Sequence, residues 1–251
     1  VLAKLLRPDT ILVSIMAVNN EIGSVQPIKA ISKLLADKAS ISFHVDAVQA
    51  IGKIATDDYL TDRVDFATFS GHKFHSVRGV GFIYKKAGKK ISPLLNGGGQ
   101  EAGFRSTTEN VAGIAAMAKA LRIVLDKAKI GQKQLLAMKR ILFDSLSHYD
   151  DVILFSEMEY FAPNILTFGI KGVRGEVLVH AFEEHDIYIS TTSACSSKAG
   201  KPAGTLISMG ISSKLAQTAV RLSLDENNDM SQVEQFLTIF KQIYKKTKKV
   251  R

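Results

Sequence analysis

Short apolar runs, each closed by a cluster of polar residues, alternate along this chain with stretches of helical period. The run Thr10 to Val18 is almost continuously apolar, as expected of a strand buried on both faces of a parallel sheet, and it ends in the polar turn Asn19-Asn20-Glu21-Ile22-Gly23. Pro27 suits a first helical position, and Ile28, Ile31, Leu34 and Leu35 form one stripe behind it. Further strands are predicted over 41–46, 64–70 and 79–84. A long helical region starts near Asn110, with Ala115, Ala116, Ala118 and Leu121 as close-packing positions, and is expected to bridge two domains. Beyond it, strands are predicted over 152–155, 165–170 and 220–224 and a helix over 176–184; Ser231-Gln232-Val233-Glu234 has the spacing of a capping box. No repeat or low-complexity tract interrupts this order. The pattern predicts an α/β protein with a partial large domain over 1–126 and a smaller α+β domain over 127–251. Polar groups fall at the carboxyl ends of the first three strands, where open α/β sheets bind ligands.

Composition narrows the class. The 251 residues are 46% hydrophobic, enough for a large core. No apolar run approaches the ~20 residues of a membrane span, and the opening residues 1–8 are too short and too charged for a signal sequence, so a soluble, cytoplasmic protein is expected. Much of the net charge of +9 lies in Lys241, Lys245, Lys246, Lys248, Lys249 and Arg251, on a helical apolar pattern. Such a run is a solvated helix end more often than a nucleic-acid contact. No aromatic-basic interleaving accompanies it, so direct RNA binding is not expected. The chain has one cysteine, which excludes internal disulfides and multi-cysteine metal sites; no metal is expected. Cys195 lies in 189–205, a stretch of small polar residues that suits a loop and not a core, and Lys198 is placed to favour its thiolate. These features point to a reactive thiol.

The segment Ser70-Gly71-His72-Lys73 closes the run 64–69 and follows His44-Val45-Asp46-Ala47-Val48-Gln49. A lysine at the end of a buried strand is poorly solvated, and such burial favours the neutral amine that attacks an aldehyde. An acid at a neighbouring strand end, here Asp46, suits the ring nitrogen of a pyridine cofactor, whose protonated form stabilises a carbanion. Lys73 and Asp46 therefore read as a pyridoxal phosphate site.

Five separated motifs carry a resemblance: 18–23, 44–49, 70–73, Gly97-Gly98-Gly99-Gln100-Glu101-Ala102-Gly103-Phe104-Arg105-Ser106-Thr107-Thr108, and Ser193-Ala194-Cys195-Ser196-Ser197. In content and order they resemble the cysteine desulfurases, within the class V aminotransferase group of pyridoxal phosphate enzymes. The resemblance implies a fold type I, aspartate aminotransferase-like architecture and a homodimer. It assigns Lys73 as the Schiff-base lysine and Asp46 as the partner of the ring nitrogen. Asn20 and Gln49 fall beside the ring's phenolic oxygen. Ser70 and His72 bind the phosphate, with Thr108 added from the neighbouring subunit. Arg221 grips the substrate α-carboxylate with paired hydrogen bonds, and no firm role falls to Arg105. Cys195, in a loop of the long type, takes sulfur from L-cysteine as a persulfide. Alanine is released, and the sulfur passes to an acceptor protein, an iron–sulfur scaffold or a tRNA-thiolation sulfurtransferase.

The chain departs from that family at its start. The first motif lies within twenty residues of Val1, whereas the family carries well over a hundred residues before it, including a phosphate-binding turn and a ring-stacking histidine. A carboxyl-terminal part of a longer polypeptide is expected, inactive alone, with an incomplete, mainly parallel sheet that leaves an apolar edge or face exposed. Two other readings stand beside this one: another class V aminotransferase or a β-lyase, and a non-catalytic fragment that binds RNA or a partner through its basic tail.

Overall fold

The computed structural model describes residues 1–192 and 204–249. The chain divides into two compact units, one built from Val1–Ala17 and Gln26–Ala128, the other from Val18–Val25 and Lys129–Arg251.

In the first unit, α1 (Leu2–Leu5) precedes β1 (Leu12–Met16), α2 (Ile28–Leu34), β2 (Ser42–Asp46), β3 (Phe66–Ser70) and β4 (Gly81–Lys85). The strands form one sheet in the order β1-β2-β3-β4. β1, β2 and β3 run parallel, with Met16 opposite Asp46 and Asp46 opposite Thr68. β4 runs antiparallel to β3. The ten residues between them are too few for the crossover that a parallel partner needs, so the chain can only fold back.

Side chains alternate across this sheet. Val13, Phe43, Val45, Ala67 and Phe69 are buried on one face, where the Phe69 and Phe82 rings stack 4.3 Å apart. The opposite face carries His44, Asp46, Thr68 and Ser70, together with Leu12, Met16 and Ile83, which are 53%, 38% and 49% exposed. Three apolar side chains on this largely polar face are thus exposed.

A buried ion pair ties the entry of β2 to β3. Asp65 is 2% exposed; its carboxylate accepts from the Phe43 amide at 2.8 Å and pairs with Arg63 at 2.8 Å and Lys89 at 3.1 Å. Arg63 also donates to the carbonyls of Leu35, Lys38 and Ile41. Burial alone would raise the Asp65 carboxyl, but the Phe43 N–H, Arg63 and Lys89 outweigh it and hold the group below the ordinary carboxylate value.

Helix α3 (Val111–Ser147) begins in the first unit and ends in the second. There follow β5 (Val152–Leu154), β6 (Ile165–Ile170), α4 (Gly175–Glu183), β7 (Ser190–Thr191), α5 (Gly204–Ser208), α6 (Ser213–Ala216), β8 (Val220–Ser223) and α7 (Met230–Lys249). The second sheet has the order β5-β6-β8-β7, with every neighbouring pair antiparallel. β6 is buried at each of its positions. Its core gathers Leu135, Met138, Leu142 and Leu146 of α3, Leu178 and Phe182 of α4, and Phe236 and Phe240 of α7. The Phe182 and Phe236 rings stack at 5.0 Å.

The start of α7 corrects the capping box read from sequence. Ser231 lies inside the helix, and the box is formed by Asp229 and Gln232: Asp229 Oδ1 accepts from the Gln232 amide at 3.0 Å, and Gln232 Oε1 accepts from the Asp229 amide at 3.2 Å. The spacing is the same, but the carboxylate two residues earlier takes the cap. Lys241, Lys245, Lys246 and Lys248 of α7 are exposed, while Phe236, Phe240 and Tyr244 on the other side are buried. Among the described residues no helix is long and apolar enough to cross a membrane.

Candidate functional site

In the first unit, chemistry collects at the carboxyl ends of β2 and β3. Asp46 is the last residue of β2, half-buried, with its Oδ1 accepting from the Val48 amide at 3.0 Å. This bond begins the turn that carries the half-buried Gln49. Ser70 ends β3 on the same face, two residues beyond the Thr68 that faces Asp46. The chain then tightens into a 3-10 turn, Gly71–Phe74, which presents His72 and Lys73. Only glycine fits at 71, since a Cβ there would stand 2.9 Å from the Val80 carbonyl oxygen. The Ser70 hydroxyl and His72 Nδ1 are 3.5 Å apart, His72 is exposed and Lys73 is half-buried.

The sequence reading passed over His44. Its ring spans three strands on the face that holds Asp46, with Nδ1 2.7 Å from Ser14 Oγ and Nε2 3.1 Å from Thr68 Oγ1. Burial lowers the imidazole's proton affinity, and the Asp46 carboxylate partly offsets this.

Thr108 and Arg105 lie in the exposed loop before α3, where the Arg105 guanidinium bonds to Thr107 Oγ1. Cys195 and Lys198, the centre of the proposed thiol chemistry, lie outside the described residues.

Asn20 and Arg221 both belong to the second unit, and the structure brings them together. Residues 18–25, the turn after β1, belong to the second unit. Donors from that unit fix it. The carbonyls of Asn20, Glu21, Ile22 and Gly23 accept in turn from Arg221 Nη1 at 2.7 Å, Thr167 Oγ1 at 2.6 Å, Ser156 Oγ at 2.5 Å and the Ala162 amide at 2.7 Å. Asn19 Oδ1 accepts from the Glu21 and Ile22 amides at 2.8 and 3.0 Å and closes the turn from within. Arg221 sits on β8 opposite Thr167 of β6, and its Nε donates to Ser223 Oγ at 3.1 Å.

The donors of the first unit fit the group that the resemblance implies. Asp46 offers a carboxylate that would suit a ring nitrogen, Ser70 and His72 a hydroxyl and an imidazole that would suit a phosphate, and Lys73 an amine that would suit an aldehyde. All four stand at the ends of two adjacent parallel strands or in the turn that follows.

The sequence signature described as "Aminotransferase class-V" matches residues 1–236. The chain is 51% identical over 243 residues to the NifS/IcsS protein homolog of Lactobacillus delbrueckii subsp. bulgaricus, covering 96% of this chain and 63% of the relative. It is 37% identical over 246 residues to the cysteine desulfurase IscS of Clostridium botulinum, covering 96% of this chain and 61% of the relative. The solved structure of a NifS-like protein superposes with a TM-score of 0.88 at 36% identity, over 97% of this chain and 64% of that one. The chain thus spans somewhat under two thirds of the length of these relatives. With its sheet order, its strand-end donors and a match that runs from the first residue into α7, the chain belongs to the class V aminotransferase family.

Proposed function

We propose that the protein carrying this chain is a pyridoxal phosphate-dependent cysteine desulfurase, which converts L-cysteine to L-alanine and passes sulfur to an acceptor protein. The observation that carries the reading is the set Asp46, Ser70, His72 and Lys73 on the ends of β2 and β3, in a chain whose relatives include an enzyme named cysteine desulfurase. Pyridoxal phosphate, when bound, supplies an electron sink for charge that develops at the substrate Cα. Lys73 Nζ holds the cofactor and carries protons to and from that carbon. The Asp46 carboxylate keeps a proton on the ring nitrogen, and Ser70 and His72 hold the phosphate, with Thr108 of a second subunit. Asn20 and Gln49 serve the phenolic oxygen. Arg221, oriented through the Asn20 carbonyl, binds the substrate carboxylate.

The Cys195 thiolate attacks the substrate sulfur. An S–S bond forms, the C–S bond breaks, its electron pair stays with carbon, and a proton delivered there completes alanine. The persulfide then yields its outer sulfur to an iron–sulfur scaffold or a tRNA-thiolation sulfurtransferase.

The experiment uses the complete protein with cofactor. Borohydride reduction followed by peptide mapping is expected to place the pyridoxyl group on Lys73, and a label on another lysine overturns that assignment. Exposure to L-cysteine is expected to add one reductant-removable sulfur to the wild type and none to Cys195→Ser, which still binds the cofactor. Full sulfur release by the serine variant would transfer the role away from Cys195 and favour a β-lyase.

A further inference from the structure

Lys139 is a misfit on its helix. It stands on the apolar stripe of α3 with Leu135, Met138, Leu142 and Leu146 and, like Met138 and Leu146, is 0% exposed. A leucine or methionine would fill this position without the cost of desolvating an amine. Among the described residues no carboxylate pairs with it. Its Nζ donates to the Ala162 carbonyl at 2.9 Å and stands 5.6 Å from the centre of the Phe161 ring.

Those two residues hold the turn that carries Asn20. The Ala162 amide donates to the Gly23 carbonyl at 2.7 Å, and the Val25 amide donates to the Tyr160 carbonyl at 2.7 Å. Ser24 and Phe161 form an antiparallel bridge between the two segments. Ala162 is fully buried, so its carbonyl has no solvent to turn to if the lysine is removed.

We propose that Lys139 is a positioning residue for the 18–25 turn: its bond to Ala162 fixes the segment 160–162, which fixes the backbone of Asn20 and the carbonyl that orients Arg221. The functional half of this assignment rests on the roles proposed above for Asn20 and Arg221. The mechanical half does not, because every contact in the chain of bonds is structural.

Hydrogen-exchange mass spectrometry on the 251-residue chain separates the two. Lys139→Met is expected to raise exchange at the Val25 and Ala162 amides about tenfold, in keeping with the loss of one buried hydrogen bond, while β6 and α7 keep wild-type protection. Lys139→Arg, whose guanidinium can donate to the same carbonyl, is expected to restore protection. A uniform rise through β6, α4 and α7 would make Lys139 a packing residue only, and unchanged exchange at 23–25 and 160–162 would show that its bond does not hold the turn. Either result overturns the proposal. If Lys139→Met does not fold, Lys139→Leu, which also lacks a donor, is read the same way. In the complete cofactor-loaded protein, Lys139→Met is expected to raise KM for L-cysteine by more than it lowers kcat, and an unchanged KM with a loosened turn overturns the functional half. If the wild type does not turn over L-cysteine, the desulfurase reading fails while the exchange result still stands.

Discussion

Gly52 offers a test of how the turn carrying Gln49 is seated. The residue has φ +73°, and a Cβ built on it would lie 2.3 Å from Val124 Cγ1, whereas Val124 Cβ is at 3.8 Å, an ordinary contact. Val124 is 5% exposed on α3. A β-branched side chain in a helix has one strongly preferred rotamer, so that methyl cannot swing aside cheaply. Gly52→Ala therefore meets two costs: about 1–2 kcal/mol for an L-residue in the left-handed region, and about 1–3 kcal/mol for forced overlap in a packed core. The expected loss is ~2–5 kcal/mol in total. Val124→Ala alone costs roughly 2 kcal/mol in lost burial and cavity, yet it deletes the methyl that obstructs position 52. On the Val124→Ala background, Gly52→Ala should then cost only the backbone part, about 1–2 kcal/mol. The double-mutant cycle should show a favourable coupling of ~1–3 kcal/mol. Urea unfolding of the four proteins at constant m reads this directly. Additivity within about 0.5 kcal/mol would refute the overlap argument and leave φ as the whole cost.

Asp65→Asn should destabilise the first unit by about 3 kcal/mol, because it removes the carboxylate that compensates Arg63 and Lys89. The folded-state Asp65 pKa lies below 3.8, so its contribution is present above that value and lost as pH falls through the lower folded value; the stability gap between wild type and variant should close at acid pH, and a gap that stays constant sinks the linkage. Lys139 shows the same sign of pH dependence for a different reason. Burial lowers its pKa from 10.5 to about 8, so between those limits the unfolded chain holds a proton that the folded chain has released, and stability rises with pH. The full rise is ~3 kcal/mol at about 1.4 kcal/mol per tenfold change in proton affinity, and the wild-type minus Lys139→Met difference should show it between pH 8 and 10.5. A flat difference would mean that the amine is better solvated than its burial indicates.

What could be read from sequence divides by the range of the forces involved. Strand β6 was readable in full, because Ile165 to Ile170 is apolar except for Thr167 and is buried at each position. β2 and β3 were readable at their carboxyl ends, where Asp46 and Ser70 stop the apolar alternation. The direction of β4 follows from loop length, which the sequence supplies, yet apolar pattern alone does not distinguish parallel from antiparallel pairing. The cap of α7 was missed by two residues because Asp229 and Ser231 both satisfy the local spacing and the choice depends on where the helix packs.

The turn at 18–25 was beyond such reading for a different reason. Its partners are Ser156, Thr167 and Arg221, more than a hundred positions away, and they grip carbonyl oxygens, which every residue possesses and no pattern reveals. Small hydroxyl residues such as Ser156 and Thr167 carry no periodic signal, and both become fully buried donors only once β6 is in place. Lys139 did leave a trace, as a charged residue on an otherwise apolar stripe between Leu135 and Leu142. A buried cation without a carboxylate is costly enough that it must serve something nearby, and here the neighbour is the carbonyl of Ala162. Candidate side chains for chemistry can thus be named from residue type and motif, while the groups that hold their backbone are found only by asking which backbone oxygens a buried donor satisfies.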